Sequence, residues 1–188
     1  MNFRAKNRFS DFLICFILQG CVDVWNPKSI RSSAGAHFKI PIHNSVPWPQ
    51  IPNLLKPNSQ VYLADNTIES SQNNPNPEKL RDLLTKCSSL KTDEGQDLSY
   101  ADPEIIAEFA SMSLPNISLD SLLLQNTSNV LILGGETHGL SAMAKKCAHE
   151  HLGAKINIPL NNRIESLNVA CAASVILYQF LFHYNKNT

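Results

Sequence analysis

An α/β fold with a mainly parallel sheet and flanking helices follows from three features of this sequence. Val130-Leu131-Ile132-Leu133 is a continuous apolar run, the pattern of a strand buried on both faces of a parallel sheet. It ends in Gly134-Gly135 and passes into a helical pattern over Leu140–His151, so a strand feeds a helix through a glycine turn. The order then repeats. Ala154–Pro159 alternates as a strand, Asn161–Leu167 reads as a loop, and Asn168–His183 is an almost wholly apolar helix. Such a helix is expected to be covered by the sheet and by a second surface.

Composition is compatible with that fold and excludes several function classes. The chain has 188 residues, 43% of them hydrophobic, enough for a core in one domain. Its 16 basic residues balance 16 acidic ones. That balance argues against a basic-tail nucleic-acid binder and leaves RNA recognition to a local patch. No apolar run approaches the roughly 20 residues of a spanning helix, so no membrane partner is expected. The cysteines Cys15, Cys21, Cys87, Cys147 and Cys171 are odd in number, scattered and free of a C-x-x-C pair. Neither a zinc site nor a disulfide framework fits them, and they read as small apolar residues.

The remaining elements follow from local chemistry. Residues 1–19 form an atypical leader or replacement segment. Arg4, Lys6 and Arg8 stand against Asp11, and Phe12–Leu18 is a short apolar run. A mitochondrial targeting segment, a weak secretory signal and a buried opening strand all fit, the signal least well because the apolar run is short. Residues 20–184 form the domain. Asn26 as cap and Pro27 at the first helical position start a helix reaching about Ala36. Phe38–Ile42 alternates as a strand, Pro47–Pro52 is a turn-rich connection, and Gln60–Asp65 is a further strand. From 68 to 128 the chain reads as a loop-rich insertion carrying one helix at Pro77–Cys87.

The glycine turn narrows the chemistry. Gly134 and Gly139 have the spacing of a phosphate loop's outer glycines, but Leu140-Ser141 follows where Lys then Ser or Thr is needed. A dinucleotide fingerprint also fails, because Glu136 stands where the second glycine belongs. A ligand without a phosphate group, held by backbone amides and carbonyls, remains; an adenosine-bearing sulfonium is one. A tight strand–helix turn is the plain structural alternative. A second cluster, Ile158-Pro159 and then Ser166-Leu167-Asn168, places short polar side chains where the last helix opens, to cap it or to hold a substrate hydroxyl.

Together, Leu131–Gly139 and Ile158-Pro159 through Ser166-Leu167-Asn168-Val169-Ala170 resemble the SpoU/TrmH branch of the SPOUT methyltransferases. Gly20–Lys28 and Ile30–Phe38 look like an earlier part of the same domain, closest to the mitochondrial type that modifies large-subunit rRNA. The resemblance implies methylation of an RNA ribose 2′-hydroxyl, S-adenosyl-L-methionine as cofactor, a C-terminal deep trefoil knot and a homodimer; no metal is expected, from the cysteine and histidine patterns. It implies that Gly134, Ile158 and Leu167 contact the cofactor, largely through backbone. It gives Glu136 and Asn168 to the catalytic pocket and puts Ser166 near the substrate. The family's first motif, an asparagine–glycine turn followed by a catalytic arginine, finds no match in Met1–Gln19. The chain is therefore expected to be N-terminally incomplete, and an inactive module that binds cofactor or dimerises without methyl transfer is the alternative.

Other residues read both ways. Arg163, Arg31 and Lys28 could meet RNA phosphate or water. His138 is a base candidate or a turn residue. His149 and His151, two apart on a helix, cannot face one metal. Trp25 and Trp48 could stack on bases or pack. Ala170, Ala172 and Ala173 offer a smooth face to a second helix or to the sheet, and Cys171 is expected in the core.

Overall fold

The computed structural model describes residues 13–67, 77–91, 98–124, 128–135, 138–161 and 166–186. The chain divides into two compact units, Met1–Ile51 and Pro52–Thr188.

In the first unit β1 (Cys15–Leu18) and β2 (Ile42–Val46) pair in parallel, with Cys15 opposite Ile42 and Phe16 opposite His43. The apolar run at Phe12–Leu18 therefore supplies a strand, half-buried rather than buried; Phe12 itself lies outside the described residues. Between the strands, α1 (Pro27–Ser32) begins as expected: the Asn26 Oδ1 accepts from the Lys28 amide at 2.9 Å. It stops four residues earlier than the expected Ala36. Ala34 and Gly35 take left-handed backbone, φ 50° and 82°, which ends a right-handed helix. Ala36–Phe38 is then a 3-10 turn, so the expected strand at Phe38–Ile42 starts only at Ile42. Pro41 has no amide for a ladder, and its carbonyl accepts from Cys15 at 3.0 Å. His37 ties the unit together through Ser33 Oγ (2.6 Å) and the Val24 carbonyl (2.7 Å). Trp48–Gln50 is a 3-10 turn that runs into the single helical turn α2 (Ile51–Leu54).

The second unit holds a four-stranded parallel sheet in the order β4 (Asn116–Ser118), β6 (Ala154–Asn157), β3 (Gln60–Ala64), β5 (Asn129–Leu133). Position in that order decides burial. Central β3 has Val61, Tyr62 and Leu63 buried, and central β6 has Ala154, Lys155 and Ile156 buried. The alternation expected of Ala154–Pro159 is thus overridden by burial on both faces. β5, with the most continuous apolar run, is an edge strand and only half-buried; Leu133 is 38% exposed. The expectation of burial on both faces is corrected accordingly.

Helices cover the sheet. Ser141 caps α5 (Ala142–Glu150), its Oγ accepting from the Ala144 amide. Asn168 opens α6 (Val169–Lys186). Tyr62, Ala154 and Ile156 share one sheet face with Leu119, Leu122 and Ile176, and Phe180 meets Tyr62 edge-on at 5.5 Å. Val61 and Leu63, alternating with Tyr62, point the other way, and α5 also packs on β3. Only one stripe of α6 faces the core. Ile176 is fully buried while Val175, Tyr178 and Phe182 are exposed, and so is Cys171, which was expected inside. Among the described residues no helix is long and apolar enough to cross a membrane, and no group of three His, Cys, Asp or Glu is placed to hold a metal.

The described residues within 68–128 are more regular than their sequence promises. Beside α3 (Pro77–Ser89) they carry α4 (Pro103–Ser111) and edge strand β4. Leu83 and Cys87 of α3 close a core with Ile105, Phe109 and Met112. Asp102 caps α4, its Oδ1 accepting from Glu104 and Ile105 amides at 3.0 and 3.2 Å, with Pro103 at the first helical position. α4 packs on α5, where Lys146 is fully buried. The Lys146 ammonium pairs with Glu150 at 2.5 Å and lies 3.6 Å from the Tyr100 ring centroid. Tyr100 donates its hydroxyl to the second Glu150 oxygen at 2.7 Å.

Candidate functional site

Parallel strands end together, and the ends of β3, β5 and β6 form one edge of the sheet. Ala64 of β3 stands opposite Leu133 on one side and Ile156 on the other. Gly134 therefore leaves the sheet one strand spacing from β3, about 5 Å, and Asn157-Ile158 leaves one spacing away on the opposite side. The two predicted stretches reach the same edge, the place where open α/β sheets border their ligand crevice.

The glycine turn is required by the chain's own packing. A Cβ on Gly134 would lie 2.5 Å from the Gly139 carbonyl carbon and 2.7 Å from its oxygen and the Leu140 nitrogen. No side chain fits there. Gly135 and Gly139 then exchange amide–carbonyl bonds of 3.1 and 2.9 Å, with Gly139 at φ +63°. These bonds hold Gly135 and Gly139 against each other, and the chain runs on from there into α5 through Ser141. Glu136 lies outside the described residues, and His138 on the rim is exposed.

On the other side four ties fix the exit from β3. The Asp65 amide donates to the Ile156 carbonyl at 3.1 Å. Asp65 Oδ1 accepts from the Thr67 amide at 2.9 Å, and Oδ2 pairs with the buried Lys155 ammonium at 3.2 Å. Burial raises the Asp65 carboxyl, but the Thr67 bonds and the Lys155 charge outweigh it and hold the group below the usual carboxylate value. Asn66 Oδ1 accepts from the Ile158 amide at 2.9 Å.

Of the predicted site residues, Gly134 and Ile158 are brought to one edge. Ile158 is half-buried and packs its side chain on the Tyr62–Ile176 cluster. Leu167 is half-buried, and Ser166 and Asn168 are exposed just ahead of α6. Asn168 is the residue that caps α6. Its Oδ1 accepts from the Ala170 amide and its carbonyl from Ala172, both at 2.9 Å. Arg163 lies outside the described residues. His149, excluded as a metal ligand, is buried against Phe109, ring centroids 5.7 Å apart. A shallow groove along α3 by Leu80, Arg81 and Leu84 is the surface of one helix and contains none of these residues. Sequence reasoning missed Asp65, Asn66 and Lys155. The available signal was a pair of Asx residues directly after a buried strand, at the sheet edge where ligands bind.

A parallel α/β sheet with a glycine turn after one strand, and a capped C-terminal helix after another, is an architecture whose strand ends commonly border a ligand crevice. Residues 3–178 match the SpoU rRNA Methylase family, and the chain belongs to that family. It is 35% identical over 171 residues to rRNA methyltransferase 3, mitochondrial, of Xenopus laevis, a match covering 87% of this chain and 40% of that protein. The corresponding human protein is 33% identical over 174 residues, with 87% and 39% covered. The chain thus spans about 40% of the length of these curated relatives. Among solved structures, an AdoMet-bound rRNA methyltransferase from Sinorhizobium meliloti superposes with TM-score 0.53 at 16% identity, covering 87% of this chain and 43% of that one. This is a likeness of fold.

Proposed function

We propose that this chain transfers a methyl group from S-adenosyl-L-methionine to a ribose 2′-hydroxyl of RNA, the substrate being mitochondrial large-subunit rRNA. The observation that carries the reading is the arrival of Gly134 and Ile158 at one sheet edge within a family-matched chain. The relatives named as mitochondrial rRNA methyltransferases support the substrate and compartment. The AdoMet-bound neighbour is consistent with the cofactor through its fold.

The residues present suit such a cofactor. Gly134 and Ile158 offer backbone groups, and Ile158 and Leu167 add apolar, half-buried surface for a flat adenine. When bound, the cofactor supplies an electrophilic methyl. The protein's own task is to hold the hydroxyl in line with it and keep water out. In this reading Asn168, fixed by its cap to Ala170, and Ser166 two residues ahead stand where α6 opens toward the substrate. Glu136 keeps in this reading the catalytic role that the family resemblance gives it. The C-terminal knot of the family and a homodimer belong to the same proposal. The exposed Val175, Tyr178 and Phe182 of α6 are the face a second copy would cover.

Calorimetric titration with S-adenosyl-L-methionine and a methyl-transfer assay on rRNA test it. Binding, with transfer that Asn168→Ala abolishes, is the expected result. Binding without transfer makes the chain a cofactor-binding module, and no binding overturns the reading.

A further inference from the structure

Asn66 lies in neither of the motifs that mark the edge, yet it joins two of its strands. β6 ends at Asn157, so the Ile158 amide is the first that has left the ladder. A half-buried amide at such a point needs an acceptor. The acceptor comes from a side chain 92 positions away, Asn66 Oδ1, at 2.9 Å. The turn that carries Asn66 is itself held by the Asp65 amide on Ile156 (3.1 Å) and by the Asp65–Lys155 pair (3.2 Å). The result is a rigid bracket. The amide of Ile158 is committed to Asn66, which sets the direction in which the Ile158 carbonyl and the following loop leave the sheet.

We propose that Asn66 is a positioning residue for the cofactor, acting through the Ile158 backbone without touching the ligand. The proposal rests on Ile158 being a cofactor contact, as read above. The acceptor oxygen is the working atom, because it is the atom that meets the Ile158 amide.

The full 188-residue chain is compared with Asn66→Ala and Asn66→Asp by hydrogen exchange at the Ile158 amide, S-adenosyl-L-methionine calorimetry and methyl-transfer kinetics. In Asn66→Ala the amide loses protection, and cofactor Kd and KM rise roughly three- to tenfold, the worth of one net hydrogen bond, while kcat holds. Asn66→Asp keeps an acceptor and recovers most of both readouts. Unchanged binding in Asn66→Ala, or equal weakening in both variants, overturns the proposal. Asn66→Ser, whose shorter hydroxyl falls short of the amide, takes the place of Asn66→Ala if that variant does not fold, with the same deciding outcomes. If the unaltered chain binds no cofactor, the site reading fails and this proposal with it. Exchange at Ile158 then still shows whether the bracket exists, which separates the two failures.

Discussion

Two regions of the second unit use polar side chains in opposite ways. Between α4 and α5, Lys146, Glu150 and Tyr100 satisfy one another inside a packed layer with Phe109 and Ile105 at 0% exposure. Burial pushes the Cys147 thiol there up to about 12 and the Tyr100 hydroxyl higher still, so both stay neutral. At the strand ends, polar side chains hold backbone instead: Asp65 the Thr67 amide, Asn66 the Ile158 amide, Asn168 the Ala170 amide. In the helical layer the polar groups of Lys146, Glu150 and Tyr100 are spent on one another. At the edge the side chains of Asp65 and Asn66 fix main chain instead.

The contrast is broken hardest at Glu150. Glu150→Ala leaves the fully buried Lys146 ammonium without its carboxylate and Tyr100 without its acceptor. Denaturant unfolding is expected to show a loss of about 3–5 kcal/mol. Combining Glu150→Leu with Lys146→Met restores part of it: apolar replacement of both charged partners is nearly neutral, but the buried Tyr100 hydroxyl still lacks the Glu150 oxygen. A double variant no better than Glu150→Ala would mean that the pair does not act as a unit.

At the edge, Gly134→Ala is expected to cost less stability and more function. The new Cβ meets backbone atoms of Gly139 and Leu140, which cannot rotate away. A rearranged turn costs about 1–3 kcal/mol, and S-adenosyl-L-methionine affinity falls with it. An unaltered titration with Gly134→Ala would remove this turn from the cofactor site.

Much of this division is legible in sequence, for physical reasons that differ by element. β3, β5 and α5 announce themselves because apolar runs bounded by turn residues are local signals, and parallel strand ends share an edge whatever the strand order. Strand order itself is not local. Nothing in Val130–Leu133 tells that β5 takes an edge, so the burial on both faces that its apolar run suggests is not found there. α6 shows the same limit. An apolar helix does not say which stripe is covered, and Cys171 proved exposed. α4 was hidden in polar sequence although Asp102-Pro103 is a start signal and Ile105 and Phe109 are one turn apart. β4, three residues reading Asn-Ile-Ser, has no period to detect. Asn66 was invisible because its partner is 92 residues distant.

The two regions should also part with pH. Burial lowers the His149 pKa from 6.5, aided by the Lys145 charge and opposed by a bond with the Met112 backbone. A depressed imidazole is neutral when folded and protonates more readily when unfolded. Stability is therefore complete above about pH 6.5 and falls as pH drops below it, toward the folded value. His149→Gln should flatten that slope. The edge carboxylate Asp65, also depressed, loses its contribution only at lower pH, beneath its ordinary value of 3.8. Thermal melts between pH 7.5 and 5 should thus weaken the helical layer first. A slope that survives His149→Gln would assign the effect elsewhere.

The smallest expected difference lies in the caps that start the two helices. Asp102 gives α4 one oxygen shared by two amides, at 3.0 and 3.2 Å, and as an anion it also favours the positive helix end. Ser141 gives α5 a single neutral bond to Ala144 at 3.2 Å. Both should cost about 1 kcal/mol on replacement by alanine, with Asp102→Ala the more costly by a few tenths in low salt and the gap closing as salt screens the charge. Ser141 follows the glycine turn directly, so Ser141→Ala should loosen cofactor binding as well, whereas Asp102→Ala should leave it alone. Equal binding by the two variants would show that the start of α5 does not stiffen the turn at Gly134.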